Sequence, residues 1–188
     1  MTPAPVDHDE RRARLTEVLL AVVSEVGLEG ASIRAVAARA GVSIGTVQHY
    51  FATKDDMLLY AYRHVGQDLG DRAEERANAA TSVKGAIREV MLELLPLDAR
   101  RMAALRVALA FATRAITTPA LAEELRKDSL ELQDAITEAF AEAGVAEPAR
   151  EAMLAIAVTS GLAEPLLFGT GTAEEVVAAL DAYLDRVF

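Results

Sequence analysis

The sequence predicts an all-α chain of about nine helices. Alanine and leucine abound while aromatic residues make up only 5% of 188 residues, and no long stretch alternates apolar with polar side chains as a half-buried strand would. Glycine, proline and Ser/Thr/Asp caps recur at helix-length intervals. A hydrophobic content of 52% excludes a disordered chain and supplies a core large enough for one or two domains.

The first helix is expected from about residue 6 or 7 to Val26, with Leu15, Val18, Leu19, Val22 and Val26 inward and Gly27 closing it. Ser32 can cap the second helix, whose apolar face is Ile33, Val36, Ala37 and Ala40. Gly41 ends it, because a sharp helix stop needs a positive φ, and Val42 anchors the corner. Ser43 then caps a third helix, Ile44 to Tyr50, which turns Val47 and the following Phe51 inward and Thr46, Gln48, His49 and Tyr50 outward. Two short helices on a glycine corner are the outline of a helix-turn-helix, whose second helix fits the DNA major groove.

The fourth helix starts at Thr53, with Asp56 in capping-box spacing, and runs to about Asn78. The fifth opens at Thr81 or Ser82, buries Val83, Ile87, Val90 and Leu94, and stops near Leu95 because Pro96 disfavours helix before it. The sixth spans about residues 98–116. Thr118 and Pro119 open the seventh, with Leu121, Leu125, Leu132, Ile136 and Phe140 inward and Gly144 beyond its end. The eighth starts at Pro148 and contains Pro165, where a missing amide predicts a bend. The ninth opens with Thr172 and Glu175 as a capping box and presents Val176, Val177, Leu180, Leu184 and Val187 on one stripe.

Within the third helix, Gln48 is the expected base reader, since its amide matches the major-groove edge of adenine; a solvated amide is the alternative. Thr46 is placed for a thymine methyl or a phosphate. Ser32, Arg34, Ser43, His49, Tyr50 and Lys54 are placed for phosphates, although the Tyr50 ring could instead belong to the core.

The segment SIRAVAARAGVSIGTVQHYFATK, residues 32–54, resembles the TetR family of transcription regulators, and the resemblance extends from about Leu15 through Gly27 and Leu28 to Lys54 and Leu58. Behind that, only length and helical pattern agree. Gln48 departs from the family pattern, in which many members carry an aromatic residue there, so the operator is expected to differ. The resemblance implies a helix-turn-helix DNA-binding domain over residues 1–54 and a helical ligand-binding and dimerisation domain over residues 55–188. It implies a repressor released by a small-molecule effector held between the fourth and eighth helices. Candidate ligand contacts are Met91, Leu95, Met102, Leu105, Leu109, Phe111, Thr113 and Glu164, a set that suits a mostly apolar effector, with plain core packing as the alternative reading of each Met and Phe.

Residues 152–158 are apolar almost all round, and a helix without a polar face must be covered on both sides. Pairing with a second copy answers this, and an internal helix of a monomer is the alternative. The candidate interface is Met153, Ile156, Ala157, Ser160, Val177, Leu180 and Leu184. A homodimer would read a near-palindromic double-stranded operator through two helices about one DNA turn apart.

The net charge of -10 runs against phosphate binding, but residues 1–60 hold six basic groups (Arg11, Arg12, Arg14, Arg34, Arg39, Lys54) against eight acidic ones, so most of the acidity lies behind. Enzyme readings find no foothold. His8, His49 and His64 lie in different elements, no serine sits in a nucleophile motif, and Gly169-Thr170-Gly171 lacks the rest of a phosphate cradle. No cofactor or metal is expected. The absence of cysteine fits a reducing cytoplasm, no signal peptide is recognised, and Thr159, Ser160, Glu164 and Pro165 interrupt the longest apolar run, so no membrane partner is expected.

Overall fold

A computed structural model describes residues 8–188, with the side chains of 10–188 except those of residues 24, 28 and 29; the expected start of the first helix at 6 or 7 lies outside them. Among the described residues there are nine helices and no strand: α1 (His8–Gly30), α2 (Ile33–Ala40), α3 (Ile44–Tyr50), α4 (Lys54–Ala79), α5 (Val83–Leu94), α6 (Ala99–Ala115), α7 (Pro119–Glu142), α8 (Pro148–Phe168) and α9 (Ala173–Val187).

The boundaries follow local chemistry. Ser32, Ser43, Thr53, Ser82, Asp98 and Thr172 each sit in extended backbone and accept, through the side chain, an amide N–H three residues on. At Thr172 the box is complete: the Glu175 carboxylate accepts the Thr172 amide at 2.9 Å. Asp56 reaches back to the amide of Ala52 instead, at 3.1 Å.

Four expectations need correction. Val26, expected on the inward stripe of α1, is 58% exposed beside the break at Gly27. Gly27 does not end α1; it is a non-helical break (φ 70°, ψ 179°) after which the helix resumes to Gly30. Thr118 makes no side-chain cap, so α7 relies on Pro119 in its first turn. The buried face of α5 is Ile87, Met91 and Leu92, continued by Leu95, while Val83 is exposed and Val90 and Leu94 are half-buried.

The apolar residues gather in three clusters. The first joins Leu15, Leu19, Val22 and Val23 of α1 to Val36, Ala37, Val47 and Phe51, and continues past Lys54 into Met57 and Ala61 of α4 and Val107 and Ala110 of α6. The second holds α5, α7, α8 and α9 together through Met91, Leu95, Phe140, Ala152, Leu180 and Leu184. A smaller third contains Leu58, Phe111, Ala115 and Leu121. The helix α4 therefore contributes to the core beneath the N-terminal helices and to the core behind them.

By length and composition α8 could cross a bilayer. Here it packs against α7 and α9 with Ala152, Ala155, Thr159 and Ala163 buried, and Tyr183 Oη of α9 donates to the Glu151 carbonyl at 3.3 Å.

Candidate nucleic-acid interface

Positioning of α3 begins at the α2–α3 corner. Gly41 adopts the left-handed conformation (φ 66°, ψ 31°), its amide donates to Ala38 O, and the Val42 amide donates to Ala37 O at 3.0 Å, the double closure of a Schellman motif. Three residues of this kind, a glycine between two Ser-capped helices, fix the turn without any long-range contact. Val47 and Phe51, both fully buried, then pin one face of α3 into the first cluster. Burial of a Val or Phe side chain stabilises by about 1.5–3 kcal/mol, which is enough to hold a seven-residue helix that would not persist alone.

The opposite face is open. Arg34, Ser43, Gln48 and His49 are exposed, and Ser32, Thr46, Tyr50 and Lys54 are half-buried, so all eight expected DNA contacts keep some access to solvent. The His49 and Tyr50 rings meet edge to face at 5.1 Å. Two hydroxyls are already engaged: Ser43 Oγ accepts the Thr46 amide at 3.0 Å and lies 2.8 Å from Thr46 Oγ1. Sequence reasoning missed Ile44, 41% exposed on the same end of α3, and Gly45, whose Cβ position is open apart from Ser43 Oγ at 3.7 Å. The signal for both was available, since an apolar residue and a glycine at the start of a capped helix leave its first turn accessible.

The basic groups are not equally available. Arg39 forms a bidentate pair with Glu25 at 2.7 and 2.8 Å. Arg12 lies over the Tyr60 ring at 4.2 Å and the Phe51 ring at 5.2 Å, 3.7 Å from Asp56, and its Nε is buried without a hydrogen bond. It works as a brace between α1 and α4. Beside Lys54, the Arg114 guanidinium holds the Asp55 carboxyl below its ordinary value.

The candidate effector residues do not line one cavity. Met91 and Leu95 are fully buried in the second cluster, where Thr159 Oγ1 donates to Ala155 O at 2.8 Å and lies 3.1 Å from Met91 Sδ. Phe111 belongs to the third cluster and stacks on Tyr62 at 4.0 Å; burial, then Asp128, pushes the Tyr62 hydroxyl up. Met102 and Leu105 are half-buried, whereas Leu109 is 45% exposed and Thr113 and Glu164 also face solvent, which removes these three from any interior site. Of the candidate dimer residues, Met153, Ala157 and Ser160 are exposed and Ile156 and Val177 half-buried. Leu180 and Leu184 are fully buried within their own chain and cannot reach a second copy; the exposed apolar surface of α8 is carried by Met153, Leu154 and Phe168, each more than 40% exposed.

Comparison with known proteins agrees with this arrangement. Residues 15–61 match the family described as bacterial regulatory proteins, tetR family, and residues 83–188 match the C-terminal domain described as BetI-type transcriptional repressor. An HTH-type transcriptional regulator BetI from Burkholderia thailandensis is 32% identical over 78% of the chain and 76% of the relative, and the HTH-type transcriptional regulator PksA from Bacillus subtilis is 34% identical over 58% of the chain, an alignment spanning 53% of PksA. Among solved structures, a transcriptional regulator from Rhodococcus sp. RHA1 superposes with a TM-score of 0.87 at 38% identity, covering 94% of this chain and 95% of that one. A regulator from Saccharomonospora viridis, solved in complex with choline, reaches a TM-score of 0.87 at 19% identity, with 95% and 97% covered, a likeness of fold. With an exposed reading helix on a buried anchor and both halves matched, the chain belongs to the TetR family of bacterial transcription regulators, DNA-binding proteins and not enzymes.

Proposed function

We propose that this protein is a ligand-responsive repressor that binds a near-palindromic operator as a homodimer and is released by a small, mostly apolar effector. The single observation that carries the DNA half is the two-faced α3: Val47 and Phe51 are fully buried while Gln48 and His49 stand in solvent. In this reading Gln48 reads adenine, Ile44 packs on a thymine methyl, and Gly45 lets the backbone come close to phosphate. Arg34, Lys54, Tyr50, His49 and the capped serines Ser32 and Ser43 set the register on the phosphates, with Thr46 beside them.

Dimerisation is supported by the exposed apolar side chains on α8, a helix that α5, α7 and α9 cover on one side only. The reading helices of such a dimer must lie about 34–36 Å apart, or a multiple, to enter successive major grooves. Effector control is supported by the match to a BetI-type repressor domain and by the continuity of α4 with both cores, which lets a change among α5–α8 move the N-terminal helices. We place the functional division at residues 54/55, and the protein in the cytoplasm with its DNA.

A gel shift of the full-length protein on the DNA upstream of its own gene, with dinucleotide-resolved footprinting, tests the proposal. Two protected half-sites of opposite orientation are expected. Sequence-independent retardation alone, or none, would overturn it.

A further inference from the structure

Glu93 is a charged residue in the apolar run VMLELLPL, and the fold buries it: its side chain is 5% exposed. Three guanidiniums from two other helices surround it, with Arg72 Nε at 3.4 Å, Arg76 Nη1 at 3.7 Å and Arg101 Nη1 at 3.8 Å. Each distance exceeds the roughly 2.7–2.9 Å of a charge-assisted hydrogen bond, and Oε2 of Glu93 has no hydrogen-bond partner at all. One carboxylate thus offsets three cations by proximity without occupying their N–H groups, although Arg101 Nη1 donates to the Leu92 carbonyl at 2.9 Å.

These residues border a 480 Å³ pocket between α4 and the start of α6, lined by Arg72, Arg76, Arg100 and Arg101 with Glu75, Glu93 and Asp98. Of its acids, Asp98 is already bonded to the Arg101 amide and Nε, both at 2.8 Å. Asp68, outside the lining, holds Arg72 and Arg100 from behind. Arg76, 44% exposed, makes only long pairs, 3.5 Å to Glu89 and 3.7 Å to Glu93. The size suits a small metabolite, and the donors at its wall are planar forks held in place by a buried counter-ion.

We propose that this pocket binds a small oxyanion, a phosphate or a carboxylate, between Arg76 and Arg101, at a site separate from the apolar core. Arg76 supplies the forked donor, and Arg101, whose Nε and Nη1 are held by Asp98 and by the Leu92 carbonyl, contributes its Nη2. Glu93 is the positioning residue that holds the guanidiniums at the pocket wall. Its walls come from α4, α5 and α6, and since α4 and α6 both pack on α1, an occupant fixes the angle between the two helices that carry the N-terminal domain. It acts on DNA affinity only as far as it prefers one angle.

The test uses the full-length protein without DNA, so its failure and that of the regulatory reading are distinguishable. Thermal melting and isothermal titration are followed with sodium phosphate and, separately, sodium malonate, both against chloride at constant ionic strength to remove screening effects. Saturable binding of at least one anion is expected, and which one saturates identifies the oxyanion class. In Arg76→Gln it should weaken at least tenfold. Arg76→Lys, which keeps the charge and loses the fork, should weaken about threefold, and it serves as the test if the glutamine variant does not fold. Arg126→Gln, which alters an exposed arginine paired with Glu123 on α7, should bind as the wild type does. No saturation by either anion, or unchanged affinity in both Arg76 variants, overturns the site.

Discussion

Arg114, in the last turn of α6, grips Asp55, in the first turn of α4, through two parallel hydrogen bonds of 2.8 and 2.9 Å. Asp55 follows Lys54 directly, so the end of α6 is fastened to the residue next to a proposed phosphate contact. Any displacement of α6 is felt at the entry to α4. The fork geometry makes the link directional as well as attractive.

Replacing Arg114 with alanine should loosen that link while costing little stability, because solvent screens an exposed pair. The expected outcome is a near-normal melting temperature with altered operator affinity. Fluorescence anisotropy on the operator together with a thermal melt reads both.

Gln48→Ala should relax preference at one base position by about 1–3 kcal/mol, and Lys54→Ala should weaken binding to all sequences and lower the salt slope by about one. Anisotropy titrations over a panel of single-base operator variants at several salt concentrations separate the two. Identical behaviour of the variants would remove the assignment of Gln48 to bases.

Phe51→Ala should destabilise the protein by about 3–5 kcal/mol, because the ring is fully buried where α1, α3 and α4 meet and stacks edge-on against Tyr60 at 5.6 Å. Gly41→Ala should cost about 1–2 kcal/mol from backbone strain alone, since nothing lies within 4 Å of the added Cβ. Urea titration of the two variants gives both values.

Acid should weaken the fold through three carboxylates held below their ordinary values, Asp55 by Arg114, Glu124 by Arg63 and Asp181 by Arg88. A lowered folded-state pKa means that these pairs contribute fully above the ordinary 3.8 of Asp and 4.5 of Glu and lose their contribution as pH falls through the lowered values. All three are exposed or half-buried, so each contributes at most about 1 kcal/mol. Denaturant midpoints measured between pH 7 and pH 3 should be flat at first and then decline together.

Ala157→Glu should give a folded monomer that no longer binds the palindrome, because it sets a charge on the exposed apolar side of α8. Sedimentation velocity at low concentration reads the change, and a wild type that sediments as a monomer would end the dimer proposal.

The N-terminal helices were legible because their boundaries are written locally: Ser32, Gly41, Ser43 and Thr53 each act on a neighbour within a few residues. The register of α5 was not. Its apolar residues occupy more than one face, and which face turns inward depends on α8 and α9, so Met91 won over Val90. Leu109, Thr113 and Glu164 were misplaced toward an interior site for a related reason, since a cavity is what packing leaves over and no residue pattern encodes it. Glu93 gave a signal in its apolar surroundings, but its compensating arginines lie on α4 and α6 and become neighbours only in the fold. Leu180 and Leu184 show the limit of a stripe: it tells that a side chain seeks cover, not whether its own chain or a twin provides it.

Glu25 clasped around Arg39, and Arg12 folded inward over two rings, withdraw cations that the duplex would otherwise attract from a distance. A regulator built this way should linger little on random DNA. It should give up speed of search and gain freedom from decoys, with occupancy governed by how well a few short-range contacts fit one address.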